Sequence, residues 1–499
     1  MHKNNKTDIR ALLRDEPKRV TEMVCSTARW RFDASRTPLS LSAWQGFYSA
    51  KATAGLQQAV SDLFDGAIVN PSERQPALHM ALRADKPEDL LPADDAGLVA
   101  DTRRRMLEAA GALYRGATPV RTILHAGIGG SDLGPRLVAQ ALDPGGSALK
   151  VEWLTTLDGR RIQRLLDRLD PETTALVVAS KSFSTVETLT QAALIRDWLG
   201  SGAGERIWAA TARPERAIEF GIPENNVLAF PGWVGGRFSL WSSVGFSAAA
   251  RIGPEAWVRL LAGAREADHL VAGQLAASPA CALARVLDAL IRGNGFATLG
   301  VISYDPALRL LAEYLQQLVM ESLGKSVDLA GNPVHAPTSP LVFGGAGTDL
   351  QHSLFQALHQ GTTRHPMLLL GSACIGEGPG SWQREQLSHL LGQASALVNG
   401  RQADDREREL PGNNPVMLML ARTMDAASVG ELLATFEHAV YLLAVLWRIN
   451  AFDQWGVEEG KRLAVVFRSA LDGGGDNPDP ALAPTIDWIR AQPPADQQF

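Results

Sequence analysis

From about residue 120 onward, short apolar runs alternate with longer stretches of helical spacing, and this rhythm restricts the fold more than any other feature of the chain. The runs "RTILHA", "KVEWLTT", "TALVVAS", "RIWAATA" and "NVLAF" have strand length, and each ends in a turn rich in Gly, Ser, Thr or Pro. Runs this apolar are buried on both faces, which calls for a parallel sheet with helices above and below it. A second set begins near "GFATLGVISY" and includes "SPLVFGG" and "HPMLLLGSA". The pattern predicts two α/β domains, joined by the helical stretch from Pro254 to Gly293, and 499 residues is more than one ordinary core organises. The first hundred residues read as mainly helical, with "RWRFDASRTPLS" as an irregular break. The "DGGGDNPDP" loop near the C-terminus is the one weakly low-complexity stretch.

Composition narrows the function classes. A net charge of −6 and the lack of any dense Lys/Arg run argue against general nucleic-acid binding, whereas a small anion needs only a local positive site. The N-terminal "MHKNNKTDIRALLRDEPKRV" lacks the apolar core of a signal peptide, and no stretch is read as approaching the roughly 18 apolar residues of a membrane span. The expectation is a cytoplasmic protein without membrane contact. Cys25, Cys281 and Cys374 are far apart and form no CxxC pair, so they read as reduced, mostly buried thiols. The ten histidines contain no HExxH pattern, and no metal is implied by spacing.

Ligands of open parallel sheets bind beyond the carboxyl ends of the strands. Two turns at such ends carry unusual residues. "SKSFSTVET", residues 180–188, follows "TALVVA" and precedes a helical stretch, placing the hydroxyls of Ser180, Ser182, Ser184 and Thr185 and the ammonium of Lys181 at a helix N-terminus. Free N–H groups and added donors suit a tetrahedral anion such as phosphate, while capping by Ser184 or Thr185 would account for only one or two hydroxyls. "AGIGGSDLGP", residues 126–135, offers glycines that let backbone approach a ligand, with Ser131 as a further donor. It is not the dinucleotide fingerprint, because the third glycine position holds Asp132, and "GKS" at 324–326 is not a Walker loop, because the first glycine position holds Val319.

Read as a helix, "RLLAEYLQQLVMESLGKS", residues 309–326, puts Leu310, Leu311, Tyr314, Leu315 and Leu318 on one apolar arc. Glu321 falls inside that arc and Gln317 at its edge. An inward carboxylate costs stability unless paired or used, and partial burial would move its pKa toward the value of a general base; a salt bridge to Lys325 at i+4 is the bland alternative. "GGAGTDLQHSLFQALHQG" presents Gln351 and His352 at a helix start, with His359 seven residues on. "VGGRFSLWSSVG" presents Arg237 after two glycines, and "INAFDQWGVEEGKRLA" holds Gln454 and Lys461, on one face if that segment is helical. An interface arginine and a snorkelling surface lysine are the alternatives there.

Taken in order, "GIGGSDLGP", "SKSFSTVET", "VGGRFSLWSSVG", "QQLVMESLGK", "GTDLQHSLFQALHQG" and "FDQWGVEEGK" closely resemble the motifs of the glucose-6-phosphate isomerase (phosphoglucose isomerase) family, from Gly127 to Lys461. The resemblance implies an α/β fold of two sugar-isomerase-type three-layer αβα domains with mainly parallel sheets, an N-terminal helical segment and a C-terminal helical tail. Its domains would be 1–110, packing on the second α/β domain, 111–260 with the phosphate loop, and 261–499 with the catalytic Glu, His and Lys. It implies a glycolytic and gluconeogenic isomerase that needs no cofactor, interconverting glucose 6-phosphate and fructose 6-phosphate through ring opening and a cis-enediol. Carried over residue by residue, Glu321 is the base, Arg237 stabilises enediolate charge, and His352 and Lys461 serve ring opening. Ser180, Lys181, Ser182 and Thr185 hold the phosphate, with Gly130, Ser131, Gln317 and Gln454 as further substrate contacts. The family is usually a homodimer in which the histidine matching His352 reaches the neighbouring subunit's site.

Some positions depart from the family pattern. Ser182 and Ser184 stand where threonine is usual, Leu318 and Val319 replace a frequent Gly-Asp or Leu-Asp, Val319 and Leu323 make the Glu321 segment more apolar, and Asp349 replaces Asn, where it would raise the pKa of His352 if close. The rival reading is a non-catalytic sugar-phosphate-binding regulator, which would keep the phosphate loop and lose the acid–base groups. A second rival, the isomerase half of a glucosamine-6-phosphate synthase, needs an N-terminal cysteine nucleophile where this chain has His2.

Overall fold

A computed structural model describes residues 7–47, 50–145, 148–374, 379–474 and 479–492. His2 and the middle of the 472–480 loop lie outside the described residues. The chain divides into two compact units, Met1–Leu157 with Leu169–Ala451, and Asp158–Arg168 with Phe452–Phe499.

The first unit is built on two sheets. The hairpin of β1 (Val24–Ser26) and β2 (Trp30–Arg36) comes first, followed by β3 (Thr122–Ala126), β4 (Lys150–Leu154), β5 (Thr174–Ala179), β6 (Ile207–Thr211) and β7 (Val227–Ala229). The strands β3 to β7 form a wholly parallel sheet in the order β4-β3-β5-β6-β7. Every residue of β3 and β5 is buried, as their unbroken apolar runs require. The connection after β3 runs to one side and that after β5 to the other, so the strand order reverses between them. Such a switch point leaves a crevice at the carboxyl ends, bounded here by the two turns that the motif reading selected.

The second sheet adds β8 (Thr298–Ser303), β9 (Leu341–Ala346), β10 (Met367–Ser372) and β11 (Val416–Ala421) in the order β1-β2-β11-β10-β8-β9. Its four later strands are parallel, and β2 joins β11 antiparallel. The stretch read as an irregular break in a helical N-terminal region is therefore strand β2. Its inward Asp33 hid the alternation, and that carboxylate is matched by the Ser35 amide and the Arg36 guanidinium. The strand β11, "VMLMLA", also went unread.

Two long helices, Pro254–Gly273 and Ala426–Trp447, pack along each other. The second has the length and composition of a membrane span, contrary to the sequence expectation, but 89% of its most apolar window is buried in this fold. It carries the buried polar side chains Glu431, Glu437 and His438, which an apolar bilayer would not satisfy. The thiols divide: Cys281 is buried and Cys25 half-buried, with burial pushing them up to about 11 and about 12, while Cys374 is exposed, contrary to the mostly buried reading.

The second unit holds the helices Gly159–Leu166, Glu458–Leu471 and Ala483–Arg490. Within it, the Arg490 guanidinium donates to the Ala470 carbonyl and ties the last two helices together.

Candidate active site

The turn after β5 is shaped by one apolar anchor. Phe183 sits at φ 46, a left-handed conformation uncommon for a bulky residue, and its buried ring meets Phe220 edge-on at 5.8 Å. With Phe183 turned inward, the polar neighbours are left along the turn. Ser180 pairs with Thr185 through their hydroxyls at 3.3 Å, and Ser182 with Ser184 at 2.7 Å. Thr185 occupies the N-cap of the Val186–Leu199 helix, yet its side chain makes no cap bond. Simple capping therefore does not explain these hydroxyls, and the first-turn N–H groups still lack a side-chain acceptor at the cap position.

Lys181 is held partly out of water. Burial lowers its pKa, Glu73 opposes that shift, and the charges of Arg213 and Arg237 add to it. Positive charge is thus concentrated around Lys181, with Glu73 of the N-terminal segment as the carboxylate that opposes it there. Neither Glu73 nor Arg213 was singled out from the sequence, where both read as ordinary solvated charges.

Three segments cross beside this turn. A Cβ added to Gly130 would lie 2.0 Å from the Gly236 carbonyl oxygen and 2.7 Å from the Arg237 nitrogen, so the Gly129–Ser131 turn rests directly on the backbone carrying Arg237. Gly129, at φ 60, faces the Gln317 amide, which would be 3.0 Å from an added Cβ. His125, fully buried at the end of β3, locks the turn from behind. One of its ring nitrogens must donate to the Ser131 carbonyl at 2.8 Å, so the other accepts from the Ser247 hydroxyl at 2.8 Å. Burial pushes its pKa down to about 4 despite that carbonyl, which keeps it neutral.

The Glu321 segment is not the uniform helix that the spacing predicts. An α-turn, Leu311–Leu315, passes into a π-turn, Gln316–Glu321, the wide form often found at functional sites. Burial follows the apolar arc except at Leu310, which is half-buried: Leu311, Tyr314, Leu315 and Leu318 are all 4% exposed or less, as are Val319 and Leu323. Lys325 does not pair with the Glu321 carboxylate; its ammonium donates to the carbonyls of Glu321 and Ser322 at 2.6 and 3.0 Å. The carboxylate faces Arg237 instead, with Nη1 3.6 Å from Oε2. That oxygen is buried without a hydrogen-bond partner among the described residues. Arg237 is nearly fully buried; its Nε donates to Ser322 Oγ at 2.7 Å and its Nη2 to the Ala451 carbonyl.

The remaining predicted residues lie elsewhere in the chain. His352 follows the short helix Gly347–Gln351, is exposed, and bonds Asp349 only through its backbone N–H, at 3.2 Å. His359 belongs to a separate helix, Phe355–Gln360, so the two histidines do not share a face. Gln454 precedes the Trp455–Val457 turn, and Lys461 lies in the following Glu458–Leu471 helix, so they do not share a helix face either. Within the second unit Lys461 is exposed and pairs with Glu458 at 2.9 Å. Among the described residues, no three His, Cys, Asp or Glu side chains are grouped to hold a metal ion.

A cationic turn at a sheet switch point, beside a carboxylate with an open oxygen and a fixed guanidinium, is an arrangement suited to an α/β enzyme that moves protons on a small anion. The chain belongs to the phosphoglucose isomerase family, whose model matches residues 33–479. It is 43% identical over 487 residues to a glucose-6-phosphate isomerase of Stenotrophomonas maltophilia, covering 93% of this chain and 92% of that one. A glucose-6-phosphate isomerase of Xanthomonas oryzae pv. oryzae is 41% identical over 490 residues, covering 97% and 96%. The crystal structure of a glucose-6-phosphate isomerase from Chlamydia trachomatis superposes with a TM-score of 0.86 at 27% identity, covering 97% and 95%.

Proposed function

We propose that this chain interconverts glucose 6-phosphate and fructose 6-phosphate, with Glu321 as the base that moves the proton. Family membership over most of the chain carries the reaction. The open Oε2 of Glu321, 3.6 Å from Arg237, carries the residue roles. After ring opening, Glu321 takes the C2 proton of the aldose, and the electron pair moves onto the C1 oxygen to form an enediolate. Arg237 balances that charge from a buried, fixed position. The proton then returns to C1 as the C2 hydroxyl passes its own proton to the C1 oxygen, so that C2 becomes the ketone and C1 carries the hydroxyl. The Ser180–Thr185 turn, with Ser180, Lys181, Ser182 and Thr185, holds the unreacted phosphate, so remote binding energy aligns the reacting carbons. Gly130, Ser131, Gln317 and Gln454 complete the substrate contacts, and His352 and Lys461 move protons at the ring oxygen and C1 hydroxyl.

The exposure of His352, and its lack of any hydrogen bond or ion pair to Glu321 or Arg237 among the described residues, supports a homodimer in which it serves the neighbouring subunit. The pairing of β2 with β11 supports a domain reading in which 1–110 packs on 261–499, with 111–260 as the phosphate domain. Cytoplasmic placement follows from the reaction's substrates.

The test is isomerisation of fructose 6-phosphate by the purified protein, with no metal or nucleotide supplied, alongside Glu321→Gln. Turnover is expected in the parent and a loss of about 10²-fold or more in the variant. Sugar-phosphate binding without turnover in the parent would favour the regulatory reading, near-full turnover in the variant would remove Glu321 from the base role, and an active monomer in sedimentation under assay conditions would sink the shared site.

A further inference from the structure

Behind the site lies an ion cluster that the reaction does not use. Arg83, with no exposed surface, donates to both oxygens of Asp268 at 2.8 and 2.6 Å and to Glu437 Oε2 at 2.5 Å. Asp268 Oδ1 also meets His438 Nε2 at 2.7 Å. These residues come from the His79–Arg83 turn and the helices Pro254–Gly273 and Ala426–Trp447. Apolar side chains would hold such helices together without the desolvation cost of three or more charges, so an ion cluster here is weak evidence for stability alone; fixing geometry is the better-attested use.

The cluster reaches forward to the segment that carries Arg237. The second oxygen of Glu437 accepts from Trp241 Nε1 at 2.8 Å, and the Arg83 guanidinium lies 4.7 Å over the Trp241 ring. The His79 ring lies tilted against Phe238, with the ring centroids 4.6 Å apart. Phe238 and Trp241 sit on the turn that carries Arg237, one and four residues beyond it. The head of Arg237 is held separately by Ser322 and Ala451, so the cluster fixes the main-chain end of the side chain and these fix its tip. A hydrogen bond from a rigid indole into a charged cluster is directional in a way that apolar packing is not.

We propose that the buried Arg83–Asp268–Glu437 cluster positions Arg237 for catalysis, acting through Trp241 and Phe238. This rests on the reading that Arg237 faces the enediolate charge. Trp241→Phe removes the indole N–H and keeps an aromatic ring. Three quantities are measured for it and for Arg237→Ala: steady-state kinetics, affinity for a five-carbon sugar-phosphate hydroxamate that imitates the enediolate, and affinity for a sugar-alcohol 6-phosphate that does not. In Trp241→Phe, kcat and hydroxamate affinity are expected to fall together by about five- to twentyfold, with KM and sugar-alcohol affinity within about twofold, the signature of a lost transition-state interaction. Arg237→Ala should lose more of the hydroxamate affinity. Loss in Arg237→Ala with none in Trp241→Phe would overturn the proposal, as would an equal loss of both affinities. Unchanged hydroxamate binding in Arg237→Ala would instead overturn the role of Arg237 itself. If Trp241→Phe does not fold, Phe238→Leu, which removes the ring contact with His79, is read in the same way.

Discussion

The buried arginines Arg83 and Arg237 both face carboxylates, and the two sets are built to opposite standards. Around Arg83 the guanidinium makes charge-assisted bonds of 2.5 to 2.8 Å to two carboxylates, and the second oxygen of Glu437 is bonded by an indole. Between Arg237 and Glu321 the approach stops at 3.6 Å and one carboxylate oxygen is left without a hydrogen bond. The closed set has committed its hydrogen-bonding capacity to the fold. The open pair keeps an acceptor in reserve, at an energetic cost that a purely structural pair would not bear.

The comparison is broken most severely at the closed end. Arg83→Leu leaves two buried carboxylates without their cation, and equilibrium denaturation should show a loss of about 3–5 kcal/mol. If the loss is under about 1 kcal/mol, the cluster is not closed in solution.

Acid offers the next probe. Burial alone would raise the Asp268 carboxyl, but the charge and hydrogen bonds of Arg83, with that of His438, outweigh it and hold the group at about 2. A carboxyl lowered in the folded state contributes stability above its unfolded value near 3.8, and that contribution disappears as pH falls toward 2. Stability lost between about pH 6.5 and 4 must come from another source. His125, depressed to about 4, stays neutral in the native state while the unfolded chain binds a proton, so stability should fall over that range by up to about 3 kcal/mol. His125→Gln should flatten the dependence of the urea midpoint on pH between 7 and 4.5. An unchanged slope would mean that other groups set the acid response.

At the open end, the sharper measurement is stability rather than rate. Glu321→Gln should leave the unfolding free energy within about 0.5 kcal/mol of the parent, or raise it, because it removes a partly buried charge that lacks a full set of partners. A loss above about 2 kcal/mol would show that Glu321 is as structural as Glu437. The smallest effect belongs to Thr185→Val. Because Thr185 makes no cap bond, the variant should cost less than about 0.5 kcal/mol in stability where a cap would cost about 1, while phosphate affinity falls.

The contrast also explains what the sequence could and could not disclose. Unbroken apolar runs such as "TALVVA" announce buried parallel strands, and the turns after them were legible as strand-to-helix turns at the sheet's carboxyl end. Glu321 was legible as a carboxylate on an apolar arc, though the π-turn that carries it was not, since a widened turn leaves no mark in residue spacing. Strand β2 was hidden by a buried aspartate that found local partners. The Arg83 cluster was illegible for a more general reason: its partners are 185 and 354 residues away, and each charge alone reads as a solvated surface group. The resemblance gave Arg237 and Glu321 separate roles but did not pair them, because no spacing rule connects residues 84 apart on different elements.

The contact of Gly130 with the Gly236 carbonyl also bears on redesign. With no room for even a methyl group there, that crossing of two backbones cannot be re-dressed one side chain at a time. Anyone wishing to admit a different sugar phosphate must work from neighbouring side chains such as Gln317, or rebuild both loops together.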